Sequence, residues 1–541
     1  MPKNILSLTA KEAFDFLMKS EQYHSFELPE YFVFDEVLQF VHDTIGDKKY
    51  DDCLANISPD NLGNVNLDIL LNKDGKYAVR PLVLANPYLY YFLVRELCNP
   101  SGWNAIQKCF KAYEVPHLSS CALPVVPDKV ESFHKSTTIL NWWNAMEQRS
   151  IELSMEYRYM FITDITNCYG SINPQSIEWA LACKNTRLEN NSNGALANNI
   201  QKYLRALQHG HNIGIPQGSA LFDFVGEIVL GYSDLLFHEA LQRENITGYE
   251  VIRYRDDYRI FCNDRDKLER ISYILQHVLE SLNLRLNSQK TKISDSIVTD
   301  SIKSDKLQYI YNTPIFNKKG CDFDSFEKHL LFILLFGRDF PNSGQLKNML
   351  SDIDKRIKDW LQPYEEEVFT ESSVFKNMRR RKIVGGSILA MTSVAAQIAL
   401  ENVSVSHYAL RVISRMIDSL EDTEEKRDVI EKVYNKLCKQ PNSDYNQLWL
   451  QNITYCQDSE NGVSPYEMRL CKVVMGEDVQ LWNNEWLKTE LSNDFPQSSI
   501  IDEETLAKVT PVITFRESRI YSEYFTELEK LIDESTIVAT L

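Results

Sequence analysis

The chain has no long hydrophobic run. Its tightest apolar stretch, Leu330 to Phe336, falls far short of the roughly 20 residues that span a bilayer, so the sequence predicts no membrane partner. It also has no Cys-x-x-Cys pair. Eleven cysteines are scattered from Cys53 to Cys471, which argues against a zinc site or a disulfide framework and for reduced, mostly buried thiols. The first residues, MPKNILSLTAKEAFDF, contain neither an apolar signal core nor a small-residue cleavage site, and the chain reads as cytoplasmic. A basic domain is missing too. The net charge is −18, and residues 1–300 carry 29 Lys and Arg against 38 Asp and Glu, a balance repeated in 301–541. A polyanionic partner wants a basic surface, so any such partner must be met by local basic clusters inside an acidic envelope.

With 44% apolar and 25% charged residues, the composition excludes a chain dominated by disorder, and 541 residues suggest two or three domains. Residues 1–70 mix helical patterns (Lys11–Glu21, Tyr31–Thr44) with a polar loop. Asn72-Lys73-Asp74-Gly75 reads as a hairpin tip, followed by an extended stretch at Tyr77–Leu84 and a helix at Tyr88–Leu97. YRYMFITDIT at 157–166 is aromatic and β-branched, a buried strand. A helix is expected from Pro174 to Cys183, a polar loop at Asn190–Gly194, and a long helix over 215–242 entered through Pro216-Gln217-Gly218-Ser219. EVIRYRDDYRIFCN at 250–263 predicts two strands around a polar turn, then a helix at 265–283 and an extended segment at Leu284–Ile293. Beyond about residue 320 the pattern turns helical throughout, as in Ser387–Leu400, Ser406–Leu420 and Glu424–Leu437. No fixed period is visible, so a helical repeat is only suspected.

Three carboxylates stand out. Asp164 ends one aromatic strand, and Asp256-Asp257 sits in the turn between two others. Packing those strands side by side would gather three oxygen ligands, which suits a hard cation such as magnesium. Two such ions can activate an attacking hydroxyl and steady a leaving pyrophosphate. A solvated hairpin turn accounts for Asp-Asp equally well, and a strand-end Asp is commonly a helix cap.

Five segments resemble, in order, the motifs of reverse transcriptases. FITDITNCYGSI (161–172) is similar to the first catalytic motif, GIPQGSAL (214–221) to the Pro-Gln-Gly-Ser motif, and YRDD (254–257) to Tyr-x-Asp-Asp. LRLNSQKTKI (284–293) resembles the Leu-Asn-x-x-Lys-Thr element, and VRPLVLANPYLYYFLVREL (79–97) the fingers segment. The finer resemblance is to bacterial defence-associated, abortive-infection reverse transcriptases, related to retron and group II intron enzymes. The loop Asp339-Phe340-Pro341-Asn342-Ser343-Gly344 after an apolar helix is also similar to that group.

The resemblance implies an α+β fold: a right-hand polymerase fingers–palm core at 71–319, an N-terminal helical extension at 1–70, and an all-α-helical C-terminal domain at 320–541. It implies a nucleotidyltransferase that extends a DNA strand from dNTPs, RNA-directed or untemplated, in antiphage defence. Two Mg2+ ions, with Mn2+ as a substitute, would be held by Asp164, Asp256, Asp257 and the Ile165 carbonyl. Arg80 would grip the triphosphate, Tyr169 would exclude a 2′-hydroxyl, Gln217 and Gly218 would underlie the nascent base pair, and Lys290 would approach the pyrophosphate. A surface salt bridge for Arg80, core packing for Tyr169 and simple solvation for Lys290 are the plainer alternatives. Implied partners are a DNA product, an RNA template or non-coding RNA, and further copies of the chain. Related enzymes can prime from a protein hydroxyl, and Tyr521 and Tyr524 are available for that.

Departures from the pattern are Cys168 and Gly170 in the first motif, Ala-Leu-Phe-Asp after Ser219, and no clear primer-grip motif after Lys306, where Tyr309–Pro314 stands instead. The rival functions are an RNA-dependent RNA polymerase, which Tyr169 argues against, and a non-catalytic nucleic-acid-binding effector, which the intact aspartates argue against.

One cluster stands apart from the motifs. Lys376, Arg379, Arg380, Arg381 and Lys382 form a dense basic run, either a contact for single-stranded nucleic acid or an intramolecular partner for Glu365-Glu366-Glu367. Neutralising the three arginines together should weaken nucleic-acid binding and flatten its salt dependence, by about 0.7–0.9 in slope per lost phosphate contact. An unchanged slope with a lowered melting temperature would instead assign the run to bracing.

Overall fold

The computed structural model describes residues 4–72, 79–126, 143–182, 190–312, 326–361, 388–420, 422–461 and 465–509, and the fold is stated for those residues. The basic run at 376–382, the acidic run at 365–367, Tyr521 and Tyr524 lie outside them.

Two sheets organise the first half. Strands β1 (Leu67–Asn72) and β2 (Val79–Leu84) pair antiparallel with Asn72 opposite Val79, as the hairpin signal predicts. The second sheet has β3 (Leu118–Ser120), β4 (Tyr159–Asp164), β5 (Tyr249–Tyr254), β6 (Asp257–Cys262) and β7 (Lys292–Ser294), in the order β3-β5-β6-β4-β7. Only the β3–β5 pair is parallel. Side chains alternate along these strands. Tyr249, Val251, Tyr258 and Ile260 join the large apolar core on one face, while Ile252, Phe261 and Met160 join a small cluster with Met146, Leu153 and Ile297 on the other. Both faces are covered, which is why the strands read as nearly continuous apolar and aromatic runs.

The main face is closed by the long helix Ala220–Arg243 and by Arg265–Ser281. Ser219 caps the long helix, its hydroxyl accepting from the Phe222 amide at 3.3 Å. Two sequence expectations are corrected. Asn190–Gly194 is not a loop but the first turn of the helix Asn190–Leu207, whose buried Leu196, Ala197, Ile200 and Leu204 pack into the core and override the weak propensity of the asparagines. Leu284–Ile293 is not one extended piece. A single bridge joins Leu286 to Ile165, a turn covers 288–290, and pairing resumes at β7.

Beyond residue 325, every regular element among the described residues is helical. Phe326–Asp339, Gln345–Leu361, Ile388–Glu401 and Ser406–Asp418 pack on one another. The chain then returns to the N-terminal helices. Trp482 Nε1 donates to the Leu84 carbonyl at 3.2 Å, and the Ala55 amide donates to the Trp486 carbonyl at 2.8 Å. One apolar cluster therefore draws residues from all three sequence segments. No single described helix is long and apolar enough to cross a membrane. Cys53, Cys98, Cys109, Cys168, Cys262, Cys438 and Cys471 are free and buried and Cys121 is free and half-buried, as expected of reduced core thiols.

A buried ion network locks the hairpin β5–β6 to the long helix. Arg253 is fully buried; it donates to Asp234 at 2.7–3.0 Å and to Glu227 at 2.9–3.0 Å. Removing one partner from such a network leaves an uncompensated charge. Arg253→Met should therefore destabilise the chain by about 3–5 kcal/mol in urea unfolding, and adding Glu227→Met and Asp234→Leu should restore much of that loss. A single variant as stable as the parent would show that the network does not hold the hairpin.

Candidate active site

The site begins with register. In the β4–β6 pair, Asp164 lies directly opposite Asp257, and Asp256 precedes it in the turn. The Ile165 amide donates to the Asp256 carbonyl at 3.1 Å, tying the strand end to the turn. That turn has only two central residues, Arg255 and Asp256, between paired Tyr254 and Asp257. Arg255 takes φ +53°, a backbone region where glycine is usual. Such strain costs on the order of 1–3 kcal/mol and persists only where the surroundings impose it. Arg253 helps impose it, donating from Nη1 to the Arg255 carbonyl at 3.0 Å.

The Leu-Asn-x-x-Lys-Thr element wraps the end of β4. The Asn287 amide donates to the Asp164 carbonyl at 2.9 Å, the Thr166 amide to the Arg285 carbonyl at 2.8 Å, and the hydroxyls of Thr163 and Thr291 meet at 2.6 Å. This clasp delivers Lys290 to Asp164, where the ammonium bonds Oδ2. The contact raises the Lys290 pKa, so the lysine stays charged. Lys290 is thus more than a solvated side chain.

The carboxylates crowd one another. Burial and then the Asp164 charge push the Asp256 carboxyl above the ordinary range. Asp257 is pushed up to about 6, by desolvation and then by Asp256. Its side chain also opens to solvent, so the like charges beside it are the durable part of that shift. Among the described residues, no three His, Cys, Asp or Glu side chains converge closely enough to enclose an ion. The donors nonetheless fit a hard divalent cation. All are carboxylate oxygens, Asp164 Oδ1 is buried without a hydrogen-bond partner, and a cation would relieve the repulsion that lifts Asp256 and Asp257.

Tyr169 sits one turn beyond Asp164, its hydroxyl donating to Asp223 Oδ1 at 2.8 Å. Its ring packs at Gly226 of the long helix, where an added Cβ would come within 3.3 Å of it. Its carbonyl accepts from the Ile215 amide at 2.9 Å. A Cβ on Gly214, which has φ +80°, would meet the Gly170 carbonyl at 3.1 Å, and a Cβ on Gly170 would strike the Asn167 side chain at 2.5 Å, so each position suits glycine. Gln217 and Gly218 form a loop seated on β2. The Val83 amide donates to the Gln217 carbonyl at 2.9 Å, and a Cβ on Gly218 would strike the Val83 carbonyl at 3.0 Å. Arg80 lies three residues away on the same strand, exposed and opposite Leu71.

A cavity of about 580 Å³ opens beside the carboxylates. Asp257, Lys290, Lys292 and Lys303 line it on the sheet side, and Phe340, Pro341 and Ser343 of the loop singled out in the sequence line it on the other. Tyr309–Asn312 lie at the end of the helix Ser304–Asn312, and Thr313 and Pro314 fall outside the described residues.

Sequence reasoning missed the acidic face of the long helix. Asp223, Glu227 and Asp234 recur at intervals of four and seven, one helical stripe, and are all buried among the mostly apolar residues of that helix. They meet Arg253 and Arg255, two alternate residues of the hairpin. Acids at helical spacing facing arginines at strand spacing were the available signal.

Similarity to known proteins is confined and distant. A telomerase from Candida albicans with a fragment of telomeric RNA is 11% identical, covering 76% of this chain and 67% of that one at a TM-score of 0.28. An apo telomerase from Candida tropicalis is 12% identical, covering 77% and 74% at a TM-score of 0.30. Likeness at that level carries no argument about activity. No curated protein matches the sequence. Over residues 103–311, the stretch that holds Asp164, Tyr169, Gln217 and the Asp256-Asp257 turn, the chain matches the family of the reverse transcriptase (RNA-dependent DNA polymerase).

Proposed function

We propose that this chain is a DNA polymerase of the reverse-transcriptase type, extending a strand from dNTPs by metal-assisted phosphoryl transfer. One observation carries the reading: the β4–β6 register sets Asp164 opposite Asp257, with Asp256 in the adjoining turn. Asp164, Asp256 and Asp257, with the Ile165 carbonyl, would hold two Mg2+ ions. When bound, such ions supply charge stabilisation to the phosphoryl group and a more acidic primer hydroxyl.

The chain's own residues do the rest. Lys290 places a fixed positive charge at the carboxylate cluster, on the side where a polyphosphate leaving group would lie. Lys292, paired with Asp300 at 2.8 Å, and Lys303 line the same cavity. The Gln217–Gly218 loop, pinned to β2, would underlie the nascent base pair, and Arg80, exposed on the same strand, would grip the triphosphate. Tyr169 presents a ring held at its hydroxyl by Asp223, as a gate against the 2′-hydroxyl requires. Lys376–Lys382 remains the proposed contact for single-stranded product or bound RNA. The role in antiphage defence, an RNA partner and self-assembly follow from the resemblance to abortive-infection enzymes, and residues 320–541 would be their helical C-terminal domain.

Replacing Asp256 and Asp257 together with Ala should abolish nucleotide incorporation, a loss of at least about 10³-fold. The melting temperature should hold or rise, because two repelling carboxylates are removed. Incorporation retained by the folded double variant would sink the metal assignment.

Tyr169→Ala should raise ribonucleotide use relative to deoxynucleotide use in primer extension. An unchanged ratio of the two kcat/KM values makes Tyr169 a packing residue and leaves an RNA polymerase as the better reading.

A further inference from the structure

We infer that Arg255, acting through Asp223, is a positioning residue that sets the sugar selectivity of this site by locking the Tyr169 ring. The inference rests on the reading of Tyr169 as a sugar gate and adds the device that holds the gate.

Asp223 is the shared element. Its Oδ1 accepts from the Tyr169 hydroxyl at 2.8 Å and its Oδ2 from Arg255 Nη2 at 2.6 Å. The carboxylate is nearly buried, with 10% of its side chain exposed. A carboxylate withdrawn that far from water needs a charged partner, and Arg255 supplies it. The guanidinium also lies against the Tyr254 ring, 5.5 Å from its centroid. It is therefore fixed on two sides before any substrate arrives. Burial and the Asp223 charge hold the Tyr169 phenol protonated, so its hydroxyl remains the donor in this chain of contacts.

The same residue is also the strained one. At φ +53°, Arg255 occupies a turn position that glycine would fill at lower cost. A side chain kept there has a reason to be there, and the contact with Asp223 supplies one. The turn that carries Asp256 and Asp257 is thereby coupled to the gate through one side chain. A shift of the turn moves Arg255, then Asp223, then the phenol. Position 223 falls within Ala-Leu-Phe-Asp, the stretch where the chain departs from the reverse-transcriptase pattern. Arg255 Nε is buried and makes no hydrogen bond, so the guanidinium keeps one donor in reserve beside the turn.

The test uses the full-length chain in primer extension, comparing kcat/KM for a dNTP and its matching rNTP. The double variant Arg255→Met with Asp223→Asn removes the ion pair while leaving no lone buried charge and keeping an oxygen for the Tyr169 hydroxyl. It should raise relative ribonucleotide use by roughly tenfold, the size expected for coupling between contacting groups. The ratio of the two kcat/KM values is the readout, with the melting temperature measured alongside to show that the variant is folded. Arg255→Lys, which restores the charge, should recover most of the discrimination. Tyr169→Phe, which loses the contact to Asp223, should resemble the double variant. Added to Tyr169→Ala, the double variant should change the ratio no further. If Tyr169→Ala relaxes selectivity and the double variant does not, the lock is overturned and the gate stands. If Tyr169→Ala itself leaves the ratio unchanged, the gate falls and the lock with it.

Discussion

A fully buried arginine is the constraint on which this structure turns. Withdrawing a guanidinium from water is tolerable only if charged partners surround it, and Arg253 finds Glu227 and Asp234 on one stripe of the long helix. Those partners lie seven residues apart, so the strand has little freedom to slide along the helix. A one-residue slip of β5 would turn Arg253 to the opposite face and leave two buried carboxylates unpaired. The height of the β5–β6 turn above the helix is thereby fixed, and with it the position of Asp256 and Asp257. Arg253 also reaches forward to the carbonyl of Arg255, so the residue that sets the register braces the strained turn.

The same face of the helix serves a second arginine. Asp223 lies one turn before Glu227 and meets Arg255, so two arginines of one hairpin are read by three acids of one helix. Their division of labour follows from depth. Arg253 has no exposed side-chain surface and acts on packing alone, whereas Arg255 keeps 31% of its side chain accessible and stands between packing and the cleft. Electrostatics around the carboxylates point the same way. Burial and neighbouring like charge raise the Asp256 and Asp257 carboxyls, while Lys290 bonds Asp164. Around the cavity Lys290, Lys292 and Lys303 are interleaved with Asp257, Asp300, Asp305 and Asp339, and Lys292 pairs with Asp300 at 2.8 Å.

Much of this was legible from the residues. The strands at 159–164, 249–254 and 257–262 follow from aromatic and β-branched runs, and the turn between the last two from polar residues breaking them. The helical character beyond 325 follows from apolar spacing. The Asn190–Gly194 segment misled because its residues disfavour helix, yet the apolar stripe that follows is buried strongly enough to carry the helix back through them. The 284–293 segment misled because it reads as one extended piece, whereas its backbone is spent on clasping the end of β4 and turning Lys290 toward Asp164.

What the sequence by itself determined is the set of local elements and the identity of the carboxylates, because periodicity and propensity act over neighbouring residues and the motif order lies along the chain. Which strand lies beside which, and therefore that Asp164 faces Asp257, was decided only by tertiary structure, since register is set by what each face must bury. The same holds for the acidic stripe of the long helix, for Lys290 on Asp164, and for the contact of Arg255 with Asp223. Each joins residues between 19 and 126 positions apart. For Arg253 and Asp223 burial makes leaving the charge unpaired too costly, whereas the exposed Lys290 is carried to Asp164 by the backbone hydrogen bonds around the end of β4.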